Sequence, residues 1–449
     1  MKLRGMNHAV VSVKKVLLVL SRYFFGSLAA LLMVVLVWSA QPEPVQTPES
    51  VRLIPAEGDG HKYWPRWRGP SGQGIVPGSG YPDTWSETEN VLWKTEVPGR
   101  GASSPIVWDN QIFLTTSRDQ GRRISILSYR KSDGQLLWET FVPPGKPERI
   151  YRKNTHASAT PSTDGERIYA SFGSQGIVAM DFQGNMVWHS EVGGITNYHG
   201  SAGSPFLYKD RIFIYQDQRR NAFVAAFDKL TGQEIWRTKR TARVGWGTPI
   251  VIQTGTHDEL IVSGQGRVQA YDPESGAELW SCEGNLTEVI PTPVVGHGLV
   301  FCVSGRAGPT LAIQPGGSGD VTGTHLKWTT SKGSSFVPSA LIYGDLLYMI
   351  NDITSVATCY RASTGELMWQ GRLGRTRREG FSASPIGVDG KVFFTNDFGE
   401  TFVLQAGIEF KLLHVNRLNA HTLASPALLD RRWYFRTDRH LLSIGQPGK

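Results

Sequence analysis

The sequence predicts an all-β fold: an eight-bladed β-propeller of four-stranded antiparallel blades with tryptophan-docking repeats, preceded by one N-terminal apolar helix. Three observations carry this. A proline after a small residue recurs at Pro105, Pro161, Pro205, Pro249, Pro293, Pro338, Pro385 and Pro426, at steps of 56, 44, 44, 44, 45, 47 and 41 residues. A tryptophan closes the units, at Trp138, Trp188, Trp236, Trp280, Trp328 and Trp369, with Phe410 standing in the seventh. The eighth unit stops after Leu441-Leu442-Ser443-Ile444 with no closing strand, while a spare one, Val91-Leu92-Trp93-Lys94-Thr95, lies ahead of the first unit.

The unit is plainest between Ser204 and Trp236. A Ser-Pro opens the apolar run Pro205 to Tyr208, Lys209-Asp210 turns the chain, and Arg211 to Tyr215 alternates with β-branched and aromatic residues. Ala222 to Asp228 follows, then the turn Lys229 to Gly232 and the closing Glu234-Ile235-Trp236. Short apolar runs broken by Asp, Thr and Gly are antiparallel strands joined by hairpins. The proline belongs on the innermost strand, whose channel side has no neighbour and loses nothing by a missing N–H. The turn Asp228 to Gly232 recurs as Asp272 to Gly276 and, less faithfully, Arg361 to Gly365; its glycine suits a left-handed conformation. The tryptophan is placed to wedge between blades. Pairing the spare strand with the last unit would leave no open sheet edge.

Four regions follow: 1–40 an export segment, 41–60 a linker, 61–89 an aromatic-rich lid, and 90–449 the propeller. The first 40 residues hold Lys2, Arg4, Lys14, Lys15 and Arg22, no acidic residue, and the apolar run Tyr23 to Ala40. That is a signal peptide or an anchor. Cleavage after Ala40 would put Trp38 where a small residue is wanted, which favours an uncleaved inner-membrane anchor over residues 23–40. Gln41 to Gly60 is rich in Pro and Glu and reads as a flexible linker. His61 to Trp85 holds three Trp without periodicity and needs a surface to pack on.

The net charge of +8 owes five of its 47 basic residues to the export segment, so nucleic acid is not an expected partner. Cys282, Cys302 and Cys359 are distant from one another, inside strand-like runs, and read as buried free thiols. With no CxxC or CxxCH, zinc ribbons and c-type haem are excluded. No GxSxG, HExxH, phosphate-binding loop or dinucleotide fingerprint stands in a suitable strand–helix context.

The Pro-led inner strand, the D-x-x-[ST]-G turn and the closing Trp resemble the repeats of the pyrroloquinoline quinone (PQQ) propeller superfamily from about Asn90 to Gly445. Trp64 to Pro70, Phe172 to Gly176 and Gln216-Asp217-Gln218 also resemble stretches of envelope-targeted PQQ-like repeat proteins. The resemblance implies the fold. It leaves open a quinoprotein dehydrogenase or a non-enzymatic propeller, such as the lipoprotein that scaffolds outer-membrane protein assembly. The dehydrogenase pattern calls for Ca²⁺ beside the quinone, an Asp base, a Trp floor and usually a vicinal disulfide. Here the vicinal Cys pair is missing and no Glu/Asn/Asp set falls at the channel, so no catalytic residue and no cofactor is expected.

Alignment on the prolines places Arg100, His156, His199, Arg243, Glu288, Lys332, Glu379 and His421 around the channel mouth, with Trp246 near it as a stacking surface. Arg100, His156, His199 and His421 fall on neighbouring blades, an arrangement for an anion or, with three histidines, a metal, although rim hydrogen bonding explains them as well. Trp93 and the six repeat tryptophans are assigned to blade docking. The expected role is a non-catalytic envelope scaffold for a protein or glycan partner. The alternatives are a PQQ- and calcium-dependent dehydrogenase, or a carbohydrate or polar-ligand sensor using the mouth and the segment Tyr63 to Trp85.

Overall fold

A computed structural model describes residues 51–255, 257–305, 308–374 and 380–446. They form eight blades around a central channel. The first strands of blades one to seven are Ile106–Trp108, Ser162–Thr163, Phe206–Tyr208, Ile250–Gln253, Val294–Gly296, Leu341–Tyr343 and Ile386–Val388. Their outermost repeat strands are Leu136–Phe141, Met186–Ser190, Glu234–Lys239, Glu278–Glu283, Leu326–Thr330, Leu367–Arg372 and Leu412–Arg417. Blade eight holds Ala427–Leu429, Arg432–Arg436 and His440–Ile444, and Val91–Glu96 supplies its outer strand, with Trp93 opposite Ser443. The ring is therefore closed by its two ends. Among the described residues helix is nearly absent: a single turn, Thr322–His325, and short 3-10 segments.

Each closing tryptophan faces a small residue on the next strand inward: Trp93–Ser443, Trp138–Ser128, Trp188–Ala179, Trp236–Ala226, Trp280–Ala270, Trp328–Ala312 and Trp369–Cys359. Six of these indoles donate to a backbone carbonyl of the next blade: Trp93 to Lys131, Trp138 to Phe182, Trp188 to Lys229, Trp236 to Pro273, Trp328 to Ala362 and Trp369 to Gly407. The turn glycine is where the indole lies. At Gly232 (φ 74°) a Cβ would come within 2.6 Å of Trp188 Cε3. The repeat thus needs Trp and Gly together. Trp280 departs from the pattern and donates to Glu259 Oε2 at 2.8 Å. Blade five replaces the turn with an insertion whose strand Gly319–Asp320 runs beside Trp280–Ser281 and covers the indole.

A belt of hydroxyls ties the inner strands together. Backbone N–H groups of Ser104, Thr160, Ser204, Thr248, Thr292, Ser339 and Ser384 each donate to the hydroxyl of the next residue in that series, ending at Ser425, at 2.9 to 3.1 Å. At the seam from blade eight to blade one, Arg436 bonds Ser103 through its carbonyl and its Oγ.

The structure corrects three expectations. In blade six the belt position is Ser339, so Ala340 stands where other blades carry proline, and Pro338 lies two residues upstream. In blade seven the closing position opposite Val403 belongs to His414, whose Nε2 bonds Asp83 O at 2.6 Å; Phe410 lies before the strand and packs on Trp369. From Val51 onward the segment assigned to a linker is docked: Arg52–Leu53 pairs with the free inner edge of blade four. That edge offers unpaired backbone groups, and Val51 and Leu53 supply buried apolar side chains.

Residues 51–85 run on as a plug. They touch blade four through Leu53, blade three through Glu57 on Lys209 N, blade one through Trp64 opposite Val107, and blade two through Pro65 O. Arg68 then donates to Ala340 O of blade six and Gln73 accepts from Val295 N of blade five. Ile75 pairs with Gly387 of blade seven, and Pro82 O accepts from Trp433 of blade eight. All eight blades are contacted, on the face that carries the inner-hairpin turns. The expected N-terminal helix and anchor, residues 1–40, lie outside the described residues. Among the described residues no helix is long and apolar enough to cross a membrane.

Candidate binding face

The opposite face carries the blade-to-blade connections and opens into two cavities. The axial one, of about 400 Å³, is lined by belt residues including Ser104, Thr160, Ser204 and Thr248, with Trp67 of the plug, Trp246 and Asp352. A second, of about 500 Å³, lies off the axis between blades seven, eight and one. Both are bounded by Tyr151 and Lys153 on the long connection from blade one to blade two.

That connection accounts for the 56-residue proline step. It is pinned at several points. Glu148 accepts from the Ser174 and Ser201 hydroxyls at 2.6 and 2.7 Å, Tyr151 N donates to His199 O, and Lys153 Nζ reaches Asp397 Oδ2 of blade seven at 2.7 Å. Tyr151, Tyr198, His199 and Trp246 form an aromatic cluster, with His199 stacked on Trp246 at 5.5 Å and Trp246 Nε1 donating to Gly200 O.

The mouth residues named from the repeat alignment separate into groups. Arg100 and His421 line the off-axis cavity; His199 and Trp246 line the axial one. Glu288 accepts from Tyr198 Oη at 2.7 Å. His156 points away, its Nε2 on Glu148 O and its ring packed beneath Gly121. Arg243 and Lys332 are exposed and line neither cavity, and Glu379 lies outside the described residues. Counting back from proline fails because the connections differ in length and path. The three histidines are not gathered, and among the described residues no three His, Cys, Asp or Glu side chains could hold a metal ion.

The sequence reading missed Arg436, Asp397 and Asp352. Asp352 Oδ1 accepts from Phe336 N and Val337 N at 2.8 and 3.2 Å, and burial raises its pKa. The flagged Gln216-Asp217-Gln218 run turns out to rivet blades three and four. Asp217 pairs with Arg240 at 2.7 Å, both side chains fully buried, and Arg240 also donates to Gln269 Oε1 and Tyr271 Oη. The aromatic segment Tyr63 to Trp85 is not at the mouth. Trp64 and Trp85 are buried on the plugged face and Tyr63 packs on Trp108, so only Trp67 reaches a cavity.

The family model described as "Outer membrane protein assembly factor BamB" matches residues 84–223 and 220–442. This chain belongs to that PQQ-like β-propeller family. Among curated relatives, the outer membrane protein assembly factor BamB of Alkalilimnicola ehrlichii is 25% identical over 217 residues, 48% of this chain and 51% of that protein. The chain thus spans about half the length of the curated relatives it matches. Of solved structures, BamB from Moraxella catarrhalis matches with a TM-score of 0.56 at 13% identity, over 79% of this chain and 98% of that one. Quinohemoprotein alcohol dehydrogenase from Comamonas testosteroni matches with a TM-score of 0.61 at 10% identity, over 87% of this chain and 82% of that one. Such likenesses show the fold and no more.

The quinone and Ca²⁺ of the dehydrogenase alternative find a poor donor set in the axial cavity. Its one lining carboxylate, Asp352, already accepts two backbone N–H groups, and the amide oxygen of Asn154 already accepts from Thr155 N and Ser158 Oγ. Much of the remaining lining is serine, threonine and alanine, beside Lys153, His199, Trp67 and Trp246. Cys282, Cys302 and Cys359 are free and buried within the blades, where burial raises each thiol's pKa.

Proposed function

We propose that this chain is a non-catalytic scaffold of the cell envelope that binds an envelope protein through its connection face. One observation carries the reading: Tyr151, Tyr198, Leu286, Ile353 and Phe398, 38 to 58% exposed, all project from the loops around the mouth, while the other face is occupied by the plug. Apolar side chains left exposed to water on a polar rim are the mark of an interaction surface. The assembly factors named above support an envelope partner, and residues 23–40 would tether the propeller to a membrane.

The test is site-specific photocrosslinking in intact cells. A crosslinker at Phe398, Ile353 or Tyr198 should trap one envelope protein, and one at Ser79 on the plugged side should not. Phe398→Asp with Ile353→Asp should abolish the adduct without changing the melting temperature. Equal crosslinking from both faces would refute the reading.

A second reading rests on the axial cavity, where hydroxyls and the His199–Trp246 stack suit a glycan or other polar ligand. Titration of envelope oligosaccharides followed by tryptophan fluorescence tests it, with Trp246→Phe as the control.

A further inference from the structure

The off-axis cavity holds two buried groups of opposite charge whose polar atoms are incompletely used. Arg436 is 2% exposed; its Nη1 bonds Ser103, while its Nε has no hydrogen-bond partner. Among the described residues no carboxylate forms an ion pair with it, and burial, opposed by Tyr129, brings its pKa down to about 10, so it is still a cation at neutral pH. A buried cation without a counter-ion is costly, and an anion seated against it would recover that cost. Asp397 is 8% exposed; Lys153 holds its Oδ2, while its Oδ1 is buried with no donor.

The rest of the lining fits the same chemistry. Arg100 and Arg152 add cations, and among the described residues Asp438 is the only other acid of the lining. Tyr151, Phe398, Leu423 and Ala424 supply an apolar wall. A cavity of about 500 Å³ is ample for an aromatic amino acid or a dipeptide. We infer that this cavity binds an α-amino acid or the C-terminal residue of a peptide, its carboxylate on Arg436, its N–H on Asp397 Oδ1 and its side chain against Tyr151 and Phe398. Planar guanidinium–carboxylate pairing gives the site its orientation. The site shares Tyr151 and Phe398 with the proposed docking surface, but small-molecule binding in the cavity is measured without any protein partner and so is tested independently of that reading.

Calorimetric titration of the purified full-length protein tests this with five probes. L-Phenylalanine should bind; phenylalaninamide, which lacks the carboxylate, and 3-phenylpropionate, which lacks the amine, should each bind at least about tenfold more weakly, the loss of one charge-assisted hydrogen bond. Glycyl-phenylalanine binding more tightly than phenylalanine would assign the site to a peptide terminus, and the reverse to the free amino acid. Asp397→Asn should weaken phenylalanine and leave phenylpropionate unchanged. Arg436→Gln should abolish binding of every acid; because that variant removes a buried bond, Arg100→Gln with Arg152→Gln, at exposed positions, should weaken the acids severalfold in a fully folded protein. No heat with phenylalanine in the millimolar range would overturn the inference. So would equal affinity for acid and amide, or equal binding of inorganic phosphate.

Discussion

Lys153 and Asp397 meet at 2.7 Å and join the connection between blades one and two to blade seven, bridging the seam of the ring. Lys153 is 39% exposed, so the pair contributes little to global stability, about 1 kcal/mol at most. Its effect is local. Lys153→Met should leave the melting temperature nearly unchanged while amide exchange over 149–155 speeds up severalfold by mass spectrometry. Unchanged exchange would mean that Glu148 and Tyr151 hold the connection unaided.

Burial makes the Asp217–Arg240 pair behave differently. Removing one partner strands a charge in a dry site, so Asp217→Asn or Arg240→Leu should each cost about 3–5 kcal/mol. The double variant should cost much less than the sum, as denaturant titration in a double-mutant cycle will show. Additive losses would mean that the rivet acts through packing alone.

The Trp188–Gly232 contact predicts a second coupling. Gly232→Ala places a methyl against the indole at a positive φ and should destabilise by about 1–3 kcal/mol. In a Trp188→Ala background the clash with the indole disappears, leaving the contact with Ser190 Oγ, 2.5 Å from the added Cβ, and about 1 kcal/mol of backbone strain. Thermal unfolding of the four proteins measures both.

Asp352 gives the fold a pH dependence. Its raised pKa means the folded state prefers the neutral acid. That preference stabilises fully below the unfolded value near 4 and is lost as pH rises through the folded value. Asp352→Asn keeps an oxygen for Phe336 N and Val337 N. It should therefore match or exceed the native protein by about 1 kcal/mol at pH 7 and lose that advantage at pH 4. A variant equally destabilised at both pH values would show that the carboxylate itself is required.

Much of the fold was legible because the repeat is written in residues with backbone consequences: a proline that needs no donor, a glycine that makes room, an indole that reaches the next blade. The spare strand at Trp93 located the closure for the same reason. Pro338 misled because the belt selects a hydroxyl, Ser339, and the proline merely travels near it. Phe410 misled because an imidazole, His414, reaches a carbonyl as an indole does. The cavity was not legible. Arg436 sits in an ordinary strand, and Asp397 in a loop whose neighbours arrive from blade one, a relation with no sequence spacing to betray it.

The plug has a consequence for the order of events. Its seat consists of inner strands and inner-hairpin residues from all eight blades, the last of which follows Ser425. Residues 51–85 leave the ribosome before every blade strand they dock on, yet their docking site is complete only when blade eight has been made. They must wait, apolar and unpaired, through the folding of everything else. Contacts this remote in sequence form slowly. Seating the plug is thus a late event that certifies a complete ring, and a chain arrested before blade eight would display Trp64 and Trp85 to whatever surveys unfinished proteins.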